Sequence, residues 1–109
     1  MPLIYSFDID TADDLLKILA KNLQKRRLEK GLSRNTLSEI SGVSAATIAK
    51  FEQRNTISLA SFISLAKALG YTQDIKELLS QPLYNTMDEL DMINKNKRRK
   101  RGGRNVIRK

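Results

Sequence analysis

The chain has 109 residues, of which 40% are hydrophobic and 6% aromatic, and its formal net charge is +8. This length suffices for one small domain with tails, and a core without tryptophan, built mainly from Leu, Ile, Val and Ala, favours an all-helical fold. The lack of cysteine and histidine excludes disulfides, zinc fingers, thiol nucleophiles and histidine acid–base chemistry. We therefore expect that the protein binds no metal and no cofactor and that it is not an enzyme.

The positive charge is concentrated in two parts of the chain. Residues 94–109 contain nine cations and no acid, whereas residues 1–93 contain 11 cations and 12 acids. Within the latter part, Lys17–Arg54 has nine cations and three acids. Basic segments of this kind favour a nucleic-acid partner.

The amino-terminal segment alternates between apolar and polar residues, which is the period of a β-strand. We predict a β-arm over residues 1–10 that pairs with the same segment of another copy or with the sheet edge of another protein. The alternative is an unstructured arm. The apolar face of this segment comprises Leu3, Tyr5, Phe7 and Ile9.

Hydroxyl residues and glycines mark the predicted helices. A Ser or Thr suits the residue that caps a helix start, and glycine suits the left-handed residue after its end. The predicted caps are Thr11, Ser33, Ser44 and Ser58, and the predicted stops are Gly31, Gly42 and Gly70. A fifth helix is predicted to start at Thr72 and to carry Ile75, Leu78 and Leu79. Together they predict a compact five-helix domain over residues 11–80.

Apolar residues at helical spacing predict the inward faces of these helices. In the first helix the spacing is followed by Leu15, Leu16, Leu19 and Leu23, and in the third by Ile48 and Phe51. In the fourth it is followed by Leu59, Phe62, Ile63, Leu65, Ala66 and Leu69.

Residues 81–109 are predicted to lie outside this domain. In the linker 81–93, Thr86 and Glu89 have capping-box spacing and predict a short helix. The basic tail 94–109 lacks an apolar period and is predicted to be disordered alone. It has three possible roles: contact with DNA phosphates, docking to a partner with coupled folding, or solubility.

Ser33–Gln53 has the pattern of a helix-turn-helix, with two short amphipathic helices that meet at Gly42. Val43, Ile48 and Phe51 are predicted to face inward. The outward face of the second helix has only small or polar residues, so it can approach base edges in a duplex groove.

The segment Asn22–Leu69 resembles the Xre family of helix-turn-helix proteins, to which phage lambda Cro and repressor belong. The resemblance rests on Gly31, Ser33, Leu37, Gly42-Val43-Ser44, Ile48, Phe51-Glu52, Leu65-Ala66 and Leu69. It implies a Cro/repressor-like domain that binds double-stranded DNA. Two positions differ from the family pattern: Arg34 replaces a phosphate-orienting Gln, and Arg54-Asn55 replaces a Gly-rich exit.

The resemblance and the charge pattern together assign candidate residues. Base-reading candidates are Ser44, Ala45, Ala46, Thr47 and Lys50. Phosphate candidates are Lys25, Arg26, Arg27, Ser33, Arg34, Arg54, Lys97, Arg98, Arg99, Lys100, Arg101 and Arg104. Dimer candidates are Tyr5, Phe7, Ile75, Leu78 and Leu79.

The expected function is repression of transcription by a homodimer that binds an inverted-repeat operator in the bacterial cytoplasm, associated with the nucleoid when bound. Phe51-Glu52, the run Ala46-Thr47-Ile48 and Tyr5 are similar to HipB-type antitoxins, which implies autoregulation of a toxin–antitoxin operon and a HipA-like kinase toxin as partner. The alternative is a protein-interaction module that inhibits a kinase toxin or bridges transcription factors, with DNA binding secondary. No apolar stretch approaches membrane-spanning length, so no membrane partner is expected.

Overall fold

A computed structural model describes residues 10–99, and this part of the chain contains six α-helices and no strand. The helices are α1 (Ala12–Glu29), α2 (Arg34–Ser41), α3 (Ala45–Arg54), α4 (Leu59–Ala68), α5 (Thr72–Glu77) and α6 (Met87–Lys97). The all-α five-helix prediction is confirmed for α1 to α5. The predicted β-arm lies outside the described residues, as does the tail beyond Arg99.

The predicted caps begin their helices through local hydrogen bonds. The side chains of Ser33, Ser44 and Ser58 each accept the backbone N–H three residues further along the chain. At α1 the arrangement is reciprocal, because Thr11 Oγ1 accepts Asp14 N–H at 3.1 Å and the Asp14 carboxylate accepts Thr11 N–H at 3.0 Å. These bonds satisfy donors that a helix start otherwise leaves without partners.

Left-handed residues lie at or just after the ends of α1 to α4, and after α4 this residue is Gly70, with φ of +97°. Gly31 follows α1 with φ of +69°, and the N–H groups of Gly31 and Leu32 donate to the carbonyls of Leu28 and Arg27. Gly42 ends α2 with φ of +80°. At the end of α3 this conformation belongs to Asn55, with φ of +61°. Asparagine therefore fills the turn where the family pattern has glycine.

One core holds the helices of the domain together. Its fully buried side chains come from α2, α3 and α4, and they are Leu37, Ile48, Phe51 and Leu65. The rings of Phe51 and Phe62 meet edge to face, with centroids 5.8 Å apart. In this core α2 packs against both α3 and α4, and α1 packs against α3. The predicted inward positions Val43, Ile48 and Phe51 are confirmed.

The predicted inward face of α4 is wrong at its start. Leu59 is 73% exposed and Ile63 is 37% exposed, whereas Leu65, Ala66 and Leu69 are buried. In α1 the inward face comprises Ala20, Leu23 and Arg27, while Leu15 and Leu19 are exposed. The sequence supplies more apolar positions on these helices than the domain buries.

The described part of the chain divides into two compact units, whose boundary lies between Lys76 and Glu77. Helix α5 ends at Glu77, so it stops before Leu78 and Leu79, which were predicted to belong to it. In the second unit, Thr86 caps α6 as predicted, and the Glu89 carboxylate accepts Asn85 N–H at 2.6 Å. Because α6 extends to Lys97, residues 94–97 are helical, contrary to the prediction that disorder begins at residue 94.

Candidate nucleic-acid interface

The turn between α2 and α3 fixes the angle at which α3 is presented. Gly42 takes the left-handed conformation that few other residues adopt. Val43 then turns inward and is only 7% exposed, and its N–H donates to Ser41 Oγ at 3.1 Å. With Ile48 and Phe51 fully buried on the inner side of α3, the opposite side of the helix is left for a ligand.

The outer face of α3 begins with small residues and carries two exposed cations, Lys50 and, in the last turn, Arg54. Ala46 and Lys50 are exposed, and Ala45, Thr47 and Ala49 are half-buried. Methyl groups of this size can contact thymine methyls, and a lysine can donate to guanine acceptors in the major groove. The face therefore lets a helix approach base edges closely.

The two hydroxyls at the start of α3 are bound to each other. Ser44 Oγ donates to Thr47 Oγ1 at 2.9 Å and also accepts Thr47 N–H at 3.1 Å. Both side chains thus hold the first turn of α3 in place. Each hydroxyl oxygen keeps acceptor capacity, so the pair remains open to a donor from a base or from water.

An open groove separates the starts of α2 and α3. Its volume is about 640 Å³ and its walls are formed by Arg27, Ser33, Arg34, Asn35, Ala45, Ala46 and Ala49. The first turn of a helix presents backbone N–H groups and the positive end of its dipole, and both attract anions. The structure thus brings Arg34 and the alanines of α3 to the same surface.

A buried carboxylate, that of Glu52, holds two arginines beside this groove. It accepts Arg27 Nε at 2.8 Å and Arg27 Nη2 at 3.0 Å, and its side chain has no solvent exposure. Arg34 donates from Nε and approaches with Nη2, each 3.0 Å from Glu52 Oε1. Gln24 Nε2 adds a longer bond of 3.4 Å. We call Arg27, Arg34 and Glu52 the arginine–glutamate cluster.

The cluster lowers the pKa of Glu52. Burial by itself raises the pKa of this carboxyl, but the hydrogen bonds from Arg27 and Arg34, and then their charges, act in the opposite direction and outweigh burial. Glu52 is therefore ionised at neutral pH. Its single negative charge stands against two positive ones.

The predicted phosphate residues of the first unit differ in accessibility. Ser33, Lys25 and Arg54 are exposed, Arg34 is about one-third exposed, and Arg26 is half-buried and pairs with Glu29 at 3.2 Å. The prediction for Arg27 disagrees with the structure, since its side chain is 7% exposed. Its guanidinium donates to Glu52 and, through Nη1, to Leu32 O at 2.8 Å, and so holds α1 to α3.

The remaining candidates lie in the second unit or outside the described residues. Lys97, Arg98 and Arg99 are exposed at the end of α6, and Arg99 Nη1 donates to Asn96 Oδ1 at 3.3 Å. Of the dimer candidates, Ile75 is half-buried, Leu78 is 68% exposed and Leu79 is 94% exposed. The candidates outside the described residues are Tyr5, Phe7, Lys100, Arg101 and Arg104.

Two residues at or beside the groove, Glu52 and Asn35, were not assigned a role in the sequence analysis. Glu52 follows Ile48 by four positions and so shares the inner face of α3, and an acid on an inner face is a signal for a buried partner. Asn35 lines the groove from the first turn of α2, and no sequence pattern distinguishes it from an ordinary exposed residue.

Two acids of the described part accept hydrogen bonds at helix starts. Asp14 takes part in the cap of α1, and Glu89 in that of α6. Residues 10–99 contain no group of three His, Cys, Asp or Glu that could hold a metal. In the same range, no helix combines the length and hydrophobicity needed to span a bilayer.

Comparison with known proteins agrees with this geometry. A family model described as helix-turn-helix matches residues 23–74, which run from the second half of α1 into α5. Searches of curated proteins and of solved structures found no match to the chain. Residues 23–74 therefore form a helix-turn-helix domain of the Xre/Cro-like type, which supports a DNA-binding transcription regulator.

Proposed function

We propose that the protein is a repressor that binds an inverted-repeat operator as a dimer and inserts α3 into the major groove of each half-site. The observation that carries the proposal is the open surface on which the small outer face of α3 lies beside Arg34. Small side chains permit the helix to approach the bases closely, and the positive charge of Arg34 attracts the phosphate backbone of the DNA.

In this proposal Lys50 is the principal base-reading residue. It lies in the middle of the outer face of α3, whereas Arg54, the other exposed cation of this helix, lies in its last turn. A lysine can donate to the O6 and N7 acceptors of guanine. Ala45 and Ala46 contact thymine methyls, and the bound hydroxyls of Ser44 and Thr47 accept from bases or waters. Few donors are available here, so DNA shape and half-site spacing contribute to specificity.

Phosphate contacts supply much of the affinity. Ser33 and Arg34 flank the groove directly. Other cations add to them: Lys25, Arg26 and Arg54 in the first unit, Lys97, Arg98 and Arg99 in α6 and after it, and Lys100, Arg101 and Arg104 further along. Such contacts position the protein and carry no sequence information themselves.

Dimer formation follows from the operator symmetry. Two recognition helices of a dimer must lie about 34 Å apart, one turn of the duplex, to read both half-sites. The exposed Leu78 and Leu79 after α5, together with Ile75, are apolar and suit a contact between copies. Tyr5 and Phe7 are the other proposed dimer residues.

The biological setting we infer is a toxin–antitoxin operon in the bacterial cytoplasm, with a HipA-like kinase as the toxin. This inference rests on the similarity to HipB-type antitoxins. Two of the residues on which the similarity depends are not available to a partner. Phe51 is fully buried and Glu52 has no exposed side chain, so these two residues support the fold rather than a partner surface. A kinase-like reading frame next to this gene supports the setting, and the lack of one opposes it.

The alternative, a protein-interaction module, is favoured by the exposed methionines Met87 and Met92 on α6. Flexible methionine side chains suit adaptable apolar surfaces. The double variant Ala46→Glu/Lys50→Glu separates the two functions, because a repellent charge on α3 abolishes operator binding. If it still neutralises the toxin, DNA binding and partner binding use different surfaces.

The repressor proposal is tested by selecting duplexes from a random pool with the full chain and then comparing variants on the selected sequence. We expect an inverted repeat, and we expect Lys50→Ala to weaken binding about tenfold or more and to relax the preference at one base of each half-site. Lys67→Ala is the matched control, because Lys67 is also exposed but lies on α4 beside a different groove. An unchanged base preference in Lys50→Ala contradicts the assignment.

A further inference from the structure

Arg34 is anchored and presented at the same time. Its Nε and Nη2 both lie 3.0 Å from Glu52 Oε1, and its side chain is still 34% exposed. It is the first residue of α2, and it lines the open groove beside the alanines of α3. One edge of the guanidinium is thus fixed to the protein interior, while the side chain remains accessible to a ligand.

The excess charge of the arginine–glutamate cluster lies on Arg34. The side chain of Arg27 is buried, and all three of its nitrogens donate, to Glu52 and to Leu32 O. Its charge is therefore compensated inside the domain by the carboxylate. The charge of Arg34 is only partly neutralised, because Glu52 also pairs with Arg27. Arg34 lies at the groove.

Anchoring reduces the entropy that a long side chain loses when it binds. An arginine has several rotatable bonds, and ordering them at an interface opposes association. A guanidinium also has five N–H donors in a planar fork, so two can bind a carboxylate while others remain for a phosphate.

We propose that Glu52 is a positioning residue for DNA binding: it holds Arg34 in the orientation in which the guanidinium binds a backbone phosphate. This inference rests on the proposed approach of DNA to the groove. Glu52 itself does not contact DNA, because its side chain has no solvent exposure. The Gln-to-Arg change relative to the family pattern thereby gains a specific role in this chain.

The opposite hypothesis makes a prediction of opposite sign. If Glu52 only neutralises part of the charge of Arg34, its removal frees a cation and strengthens binding. If it positions Arg34, its removal weakens binding although Arg34 loses the carboxylate that partly neutralises it. The two hypotheses therefore differ in the direction of the change.

The test is a mutant cycle on the full chain with the duplex selected by the wild type. Arg27→Met/Glu52→Met removes the anchor and the buried arginine together, since replacement of a buried ion pair by apolar residues often preserves folding. Arg34→Gln is made in the wild type and in this background. Circular dichroism and urea unfolding confirm that each variant is folded.

In the wild-type background, we expect Arg34→Gln to weaken binding about tenfold and to reduce the slope of log affinity against log salt by about 0.9, the value for one phosphate contact. In the Arg27→Met/Glu52→Met background, we expect Arg34→Gln to change neither the affinity for DNA nor the salt slope measurably. Equal effects of Arg34→Gln in both backgrounds overturn the proposal, as does tighter binding after removal of the anchor.

A second measurement on the wild-type chain does not depend on the folding of a variant. The NMR signal of Arg34 Nε–H is expected to be protected from exchange with water in the free protein and in the DNA complex, because the bond to Glu52 persists. Loss of this protection on DNA binding overturns the proposal. If the wild-type chain selects no DNA sequence, both the proposed function and this inference are overturned. If it selects a sequence but Arg34→Gln has equal effects in both backgrounds, only this inference is overturned.

Discussion

At the scale of single residues, Glu52 makes the stability of the domain depend on pH. Its pKa is lowered from the ordinary value of 4.5, so the folded state binds a proton at this site more weakly than the unfolded state. The stabilisation is present above pH 4.5 and is lost as the pH falls through the lowered value of the folded state. Asp14 contributes in the same direction, because the hydrogen bonds from Thr11 lower its pKa too.

We therefore expect the free energy of unfolding in urea to fall as the pH decreases below about 4.5, and to fall less steeply in Arg27→Met/Glu52→Met. Glu39→Gln removes an exposed acid of α2 and serves as the control, with the wild-type acid dependence retained. An identical acid dependence in the double methionine variant would show that Glu52 does not contribute.

In the arginine–glutamate cluster, the position of one residue could be predicted from the sequence, but its partners could not. The position of Glu52 on the inner face of α3 was visible in its spacing from Ile48. Its partners were not, because Arg27 and Arg34 lie 25 and 18 residues away in sequence and meet it only when α1, α2 and α3 are packed. Arg27 was consequently assigned to DNA, while its side chain is buried in the domain.

At the scale of secondary-structure elements, the end of α3 depends on a single left-handed asparagine. Asn55 has φ of +61° and its N–H donates to Phe51 O at 2.8 Å. Asparagine tolerates this conformation better than residues with a bulky or branched Cβ. We expect Asn55→Gly to leave stability almost unchanged and Asn55→Val to cost about 1–2 kcal/mol in urea unfolding.

Gln53→Ala is the control for this comparison, because Gln53 is exposed within the same helix and an exposed helical substitution usually changes stability by less than about 0.5 kcal/mol. Equal stability of the valine and glycine variants would mean that the left-handed turn is not maintained in solution.

The helix starts were predictable because their causes are local. The caps Ser33, Ser44 and Ser58 bond to backbone groups three residues away, and the chain carries that information within one turn. The buried faces were less predictable, since they depend on how whole helices cross. Leu59 has the right spacing for the core but precedes the part of α4 that contacts it, and it is exposed.

At the scale of the whole molecule, positive charge is divided between a folded domain and a basic end. Residues 98–109, which follow α6, contain seven of the 20 cations of the chain and no acid. Net positive charge of this kind attracts DNA irrespective of its sequence, whereas in the proposed complex Lys50 and the alanines of α3 read the bases. Affinity and specificity are therefore expected to respond to different truncations and substitutions.

Deletion of residues 98–109 tests this division, and it keeps all residues of α6, which ends at Lys97. If the deleted segment engages about five phosphates, the slope of log affinity against log salt becomes shallower by about 4 to 5 units, while the base preference of the selected sequence is retained. A chain of full length in which the cations of this segment are replaced by glutamine separates charge from length, and it is expected to match the deletion. An unchanged slope in both variants would exclude the basic end from DNA binding, because released counterions are counted directly by the slope. A changed base preference would instead mean that this segment takes part in reading the sequence.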